Sequence, residues 1–440
     1  MIMRLKKLTR LHFLNLIAIS IILFPWISSM GTLPLLRPEW FILIAGLVAL
    51  PISKRAIQTK VAHWLAYVFF AYVLSLVYGV LVMDITLNIR DFTELFKPVL
   101  YFLFFLFIAS GTFTIIEYRQ FLKLTQVAFA MAALIGIIQF LNPGLIKPLL
   151  LMYRGDIIEM QNYRLLRAYG TMGNPNILGF LMTIGFALTL FTLRYRILPV
   201  RLSQLFILMN FAGVFVSGSR TGMVCLTAVT LIFIAFEIRK NTMNLLFLCG
   251  LSFVMIWFFQ NILQELTPLQ GMIGRVTSLG NVFEDKDGWL PRVEMAKRTM
   301  LLIENSWVFG HGPAKAVFID GGNIDNEYIL ILYRFGMVGM ITTAGLVWVL
   351  CTQLSRTDYK KVPLLKSMRN FSLATGVAAA IFAYTAGFFM LFPLFSLAVI
   401  LWTIPVFVRI QGCSVTNVEA QRLVFQTPKF ESGVKSRLLP

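Results

Sequence analysis

Charge is what this sequence has least of. Of its 440 residues only 13% are charged, and the acids number 20 against 39 lysines and arginines. With 58% hydrophobic residues and a mean hydropathy of +0.78, the chain has too little polar surface to be a water-soluble protein of this length. Cysteine is also scarce. Cys225, Cys249 and Cys351 fall inside apolar runs and Cys413 in the C-terminal stretch, which excludes a disulfide framework across the polar loops. No nucleotide-binding fold and no cluster of metal ligands stands out, so neither a metal nor a cofactor is expected.

The net charge of +19 does not indicate a nucleic-acid binder, because most basic residues sit in short gaps between apolar runs. That is the pattern of cytoplasmic loops holding a membrane protein in place. The fold class expected is an all-α polytopic membrane protein.

Windows of about 20 apolar residues give twelve spans, near 12–30, 39–53, 61–83, 93–111, 118–141, 175–193, 199–217, 220–238, 243–262, 326–353, 368–390 and 392–409. The first follows Arg4, Lys6, Lys7 and Arg10 without a small-residue cleavage site and reads as an uncleaved helix. With the N-terminus inside, cytoplasmic segments carry 24 Lys and Arg and external segments 13. Both termini are therefore expected in the cytoplasm. The chain divides into spans one to nine (1–262, with an external loop over 142–174), a large external loop (263–325), spans ten to twelve (326–410) and a tail (411–440). No internal repeat is visible.

Ten of the external basic residues lie in the two long loops, among them Arg167, Arg292, Lys297 and Arg298. Basic residues kept outside against the orientation bias point to an anionic ligand. In the second loop, Pro291 to Ile303 reads as an amphipathic helix, followed by a turn at Phe309-Gly310-His311-Gly312-Pro313.

Four local patterns lie in order on the same expected face. They are Gly170-Thr171-Met172-Gly173-Asn174-Pro175-Asn176, the turn Ser217-Gly218-Ser219-Arg220-Thr221-Gly222, Arg292 with Gly310-His311-Gly312-Pro313 behind it, and Asp325-Asn326 ahead of Arg334 and Gly336-x-x-Gly339. Over about residues 165–345 the chain thereby resembles the O-antigen ligase and polymerase superfamily, membrane glycosyltransferases that act on lipid-linked glycans outside the inner membrane. Where this chain has Asp325, the ligases that attach glycan to lipid A-core usually have histidine; aspartate looks more like the Wzy-type O-antigen or exopolysaccharide polymerases.

The resemblance implies a GT-C-like glycosyltransferase that polymerises undecaprenyl-pyrophosphate-linked repeat units at the periplasmic face of the bacterial inner membrane, inverting the anomeric carbon without a metal. Its partners would be lipid-linked donor and acceptor, membrane lipid and a chain-length regulator, with no nucleic acid. The residues agree with such chemistry, since guanidinium groups grip a carrier diphosphate and neutralise the leaving group. Arg220, Arg292 and Asp325 are the catalytic candidates, with Asp325 meeting the acceptor hydroxyl. Arg167, Asn174, Asn176, Asn326, Arg298, Arg334 and His311 are candidates for binding substrate.

Each has a structural alternative. Asp325 could cap the helix of span ten, Asn174 and Asn176 could cap span six, and Arg292 could pair with Glu294. Arg334 could pair with another intramembrane group, and Lys97, near Asp91 and Glu94, reads as structural. A ligase transferring finished glycan to lipid A-core or protein, and a polysaccharide transporter or flippase, remain as other readings.

Overall fold

The computed structural model describes residues 9–24, 38–87, 89–141, 167–237, 289–313, 324, 326–353 and 362–409. Asp325, the expected ninth span, most of both long loops and the tail lie outside these residues. So do the side chains at 289–293, Arg292 among them.

The described chain is helical. In order come α1 (Arg10–Leu23), α2 (Pro38–Ala49), α3 (Lys54–Ile57), α4 (Lys60–Leu81), α5 (Ile89–Ala109), α6 (Ile115–Leu141), α7 (Pro175–Thr192), α8 (Val200–Val216) and α9 (Arg220–Glu237). After them come α10 (Trp289–Ile303), α11 (Glu327–Thr352), α12 (Pro363–Ala383) and α13 (Phe392–Thr403). The only β-type pairing among the described residues is a single bridge between Phe113 and Val408. Among the described residues, four helices are long and apolar enough to cross a membrane: Lys60–Leu81, Ile115–Leu141, Pro175–Tyr195 and Glu327–Thr352. Shorter apolar helices, such as Arg10–Leu23 and Val200–Val216, run beside them. This is an all-helical membrane architecture.

Two groups of helices share the core. In one, α7 is surrounded by α6, α8, α9 and α12, and 89% of its apolar window is buried. Its Phe180 stacks on Phe382 of α12 at 4.3 Å between ring centroids. In the other, α4 packs on both α5 and α11, and α13 lies against α5. The groups are joined by α12, which also touches α11, and by α1, which lies against α6 and α13.

The bundle has two unlike ends. At one end lie Arg10, Lys54, Arg55, Lys60, Arg119, Lys123, Arg194, Arg196, Arg201, Lys366, Arg369 and Arg409. There Arg10 donates to the carbonyls of Ser110 and Pro51, and Arg119 to that of Tyr195. At the other end are the first turns of α5, α7, α9, α11 and α13 and the last turns of α1, α4, α6, α8 and α12. This far end carries the motifs.

Two expected spans are revised. The eleventh, read through to residue 390, stops being helical at Ala383, and residues 384–391 form an irregular segment before α13 starts at Phe392 with Pro393 in its first turn. The tenth is broken: Gly336 has φ +60 and ψ −166, a conformation essentially confined to glycine. The break at Gly336 leaves no trace in the apolar run, and the early end of the eleventh is marked in the sequence only by Phe392-Pro393.

Candidate functional site

The far end is built from three interlocking pieces. The first is the loop entering α7 together with the turn between α8 and α9. Glycines with positive φ at 170 and 173 let the loop fold back, and the buried Gln139 side chain accepts from the N–H groups of Tyr169 and Gly170 at 2.9 and 2.7 Å. Thr171 donates to the Ile22 carbonyl, tying the loop to α1. Asn174 caps α7, its side-chain oxygen accepting from the N–H groups of Asn176 and Ile177. Arg167 then crosses between the two motifs. Its Nε donates to the Ser217 carbonyl and its Nη2 to the Asn176 side-chain oxygen, both at 2.9 Å. Burial pushes the Tyr169 phenol up to about 12, against the opposing pull of Arg167, so this side chain keeps its proton.

Arg220 is the first residue of α9 and is half-buried. The Ser219 hydroxyl accepts from the Gly222 N–H, closing the first turn of α9 from the side chain. Next to Arg220, Thr221 shares a 2.7 Å hydrogen bond with Thr385 in the irregular segment after α12. Three sequence-predicted residues, Asn174, Asn176 and Arg220, therefore lie on two motifs that a fourth, Arg167, ties together.

The second piece joins that segment to α11. Asn326 caps α11, accepting from the N–H groups of Tyr328 and Ile329. The capping role considered for Asp325 falls on a residue outside the described ones. Glu327 follows, with only 2% of its surface exposed, and its two oxygens accept from the N–H groups of Phe388 and Met390 at 2.7 and 2.6 Å. Tyr328 donates to the Ala380 carbonyl. The end of α12 is released from helical geometry, and two of the amides that follow are satisfied by one buried carboxylate. The segment 384–391 thus links the turn of Arg220 to the first turn of α11.

The third piece is a buried ionic group between α5 and α11. Glu94 is 1% exposed and lies 2.6 Å from Lys97 Nζ and 3.9 Å from Arg334 Nη1. Arg334 therefore does meet another intramembrane charge. Tyr101 donates to the Phe389 carbonyl, and Tyr72 lies stacked on Phe335, both buried nearby.

His311 belongs to a segment that docks into the break of α11 instead of making a loose turn. The N–H groups of His311 and Gly312 donate to the carbonyls of Tyr333 and Arg334, and those of Met337 and Val338 donate to Trp307 and Val308. The His311 ring stacks on Tyr333 and its Nδ1 lies 2.6 Å from the Ser306 hydroxyl. On the outer helix α10, Glu294 pairs with Arg298 at 2.7 Å, while the pairing considered for Arg292 involves a side chain outside the described residues. Arg292 stands on the backbone of α10's first turns.

Sequence reasoning missed Glu327 and the segment it holds. The available signal was a carboxylate opening an apolar helix, since such a group needs donors from elsewhere in the fold. Among the described residues no group of His, Cys, Asp and Glu could hold a metal ion.

Residues 205–344, from within α8 into α11, match the family model Wzy_C, described as O-antigen ligase. No curated protein matches the chain.

Proposed function

We infer, from the match of residues 205–344 to the O-antigen ligase family model, a membrane glycosyltransferase that polymerises undecaprenyl-pyrophosphate-linked repeat units into O-antigen or exopolysaccharide. On this reading the chain spans the bacterial inner membrane about twelve times in a GT-C-like arrangement. The strongly basic end faces the cytoplasm, as the positive-inside rule requires, and the far end faces the periplasm.

The observation that carries the reading is the placement of Arg220. It opens a helix whose first turn presents N–H groups and positive dipole to an anion. It stands on a turn that Arg167 braces and that Thr385 joins to the segment leading to α11. In the reaction the acceptor sugar hydroxyl attacks the anomeric carbon of the donor, and the bond from that carbon to the diphosphate oxygen breaks. The hydroxyl proton passes to a base, for which Asp325, next to the cap of α11, is the candidate. The electron pair leaves on the diphosphate, where Arg220 and Arg292 neutralise it. The transfer inverts the anomeric centre and uses no metal. Asn174, Asn176, Asn326, Arg298, Arg334 and His311 remain candidates for substrate contact, and Arg167 acts here by holding Asn176 and the turn.

The family description favours a second reading, a ligase moving finished glycan to lipid A-core or protein. The same variant separates the two. Arg220→Ala, at normal protein level in the membrane, should abolish long glycan. Accumulated lipid-linked single repeats would support the polymerase, and accumulated full-length lipid-linked polymer the ligase. An unaltered glycan ladder would refute both.

A further inference from the structure

Helices α9 and α11 carry the arginine and the cap on which the transferase reading depends. Among the described residues these two helices make little contact with each other, and each packs on α12 instead. The relative position of their first turns is therefore set where α12 ends, at Ala383, and by the irregular segment that follows.

That segment is fastened at three places. Thr385 shares a hydrogen bond of 2.7 Å with Thr221, next to Arg220. Glu327, on the first turn of α11, accepts from the N–H groups of Phe388 and Met390 at 2.7 and 2.6 Å. Between those two amides, the Phe389 carbonyl accepts from Tyr101 of α5 at 2.6 Å. From Thr385 to Phe388 is three steps of chain, a reach of about 11 Å at most. The first turns of α9 and α11 are thus tied to the two ends of one short tether.

The chain must turn here from α12 into α13, and an exposed turn would leave its amides to water at no electrostatic cost. This turn is drawn inward instead. Phe388, Phe389 and Met390 are buried, and the acceptor that meets their amides is a carboxylate only 2% exposed, whose desolvation is costly. Charge-assisted hydrogen bonds are short, strong and directional. Two of them on adjacent amides hold a non-helical segment to a single geometry, which is what fixing a distance requires.

We propose that Glu327 is a positioning residue for the transfer reaction, holding segment 384–391 so that Arg220 keeps a fixed spacing from the cap of α11. Thr385 is its counterpart at the α9 end, and neither residue touches substrate in this role. The donor diphosphate is gripped at one end of the tether and the acceptor hydroxyl is met at the other. A misplacement of about 1 Å between them is enough to slow transfer strongly. What is positioned rests on the transferase reading; the tether itself does not.

The test has two arms, both on the full chain. In the first, hydrogen–deuterium exchange is followed by mass spectrometry in phosphatidylethanolamine/phosphatidylglycerol nanodiscs. Glu327→Gln, which withdraws one acceptor from two buried amides, should speed exchange by about 10-fold over 384–391, and also over 217–224, the turn of Arg220. A change confined to 384–391 would overturn the proposal, because the acid would then serve its own segment alone. In the second arm, glycan output is compared in cells at equal levels of membrane protein. Glu327→Gln and Thr385→Val should each lower it by about 10-fold or more. The double variant should be no worse than the worse single one, since a tether cut at one end positions nothing. Losses that multiply in the double variant, or wild-type output from either single variant, would overturn it. If Glu327→Gln accumulates poorly, Thr385→Val removes only one hydroxyl and carries both arms on the same criteria. An unaltered glycan ladder in Arg220→Ala would sink the transferase reading while leaving the exchange result intact.

Discussion

Gly336 and Gly310 approach each other backbone to backbone. A Cβ built on Gly336 would lie 2.6 Å from the Gly310 nitrogen and closer still to the Val308 carbonyl, and one built on Gly310 would lie 2.6 Å from the Gly336 nitrogen. Both residues have positive φ. This contact is where the segment after α10 locks into the break of α11.

Gly336→Ala should therefore be among the most damaging single-methyl additions in the protein. The backbone angles alone cost about 1–3 kcal/mol for any other residue, and the Val308 and Gly310 backbone atoms it would strike cannot move like a side-chain tip. The expected outcome is a marked loss of folded, monodisperse protein in detergent, followed by size-exclusion fluorescence. A Gly336→Ala protein with wild-type melting behaviour would contradict the close approach.

Removing the Glu327 carboxylate should loosen segment 384–391. Glu327→Ala leaves two buried N–H groups without acceptors, at about 1–3 kcal/mol each, whereas Glu327→Gln keeps one acceptor oxygen. Thermal stability should fall in the order wild type, Gln, Ala. Equal melting of the two variants would show that the amides of Phe388 and Met390 find other partners.

Within the ionic group, distance decides which cation matters more to Glu94. Lys97 is at 2.6 Å and Arg334 at 3.9 Å. Lys97→Met should cost about 3–5 kcal/mol, as for a buried carboxylate losing its close partner, and Arg334→Met distinctly less. If Arg334 also touches substrate, its variant should lose transfer activity beyond what its stability explains. A melting series with Arg334→Met the worse of the two would reverse the assignment.

Arg167→Lys tests whether bracing the turn matters apart from charge. A lysine cannot donate simultaneously to Ser217 and Asn176 in the fork geometry of a guanidinium. Expression and melting should stay near wild type while glycan output falls by about 10-fold or more, the scale on which misplaced groups act. Full activity in Arg167→Lys would reduce Arg167 to a source of positive charge.

By contrast, Arg298→Ala should be nearly silent in stability. Its partner Glu294 is four residues away and both side chains are at least half exposed, at 50% and 65%. Such pairs contribute about 0.3–0.5 kcal/mol. A large loss on melting would contradict the assignment of Arg298 to exposed, weakly contributing contacts.

What could be read from the sequence followed from solvent. Lipid demands long apolar helices, and their positions, such as 175–193 for α7 and 118–141 within α6, follow from composition alone. Local chemistry was legible too, because Asn174 and Asn326 are residue types that cap helices and do so here. Contacts across the fold were hidden. The break at Gly336 depends on residues 307–312 arriving to satisfy it, and the end of α12 depends on Glu327, 61 positions from Phe388. Arg167 gave a sign of charge but not its partners. The difference is one of range: propensity and hydropathy act over a few residues, and these features are set by segments distant in sequence.

Helix α7 carries an implication for biosynthesis. In the finished protein most of its length touches other helices, so its strongly apolar composition is not explained by contact with lipid there. When it leaves the translocation machinery, however, α8, α9 and α12 have not yet been made. For that interval, with only earlier helices such as α6 to pack against, most of its surface must survive in hydrocarbon, and its apolar character all round serves the transit as well as the buried destination. A polar replacement on α7 that the assembled bundle could satisfy would still be penalised at insertion.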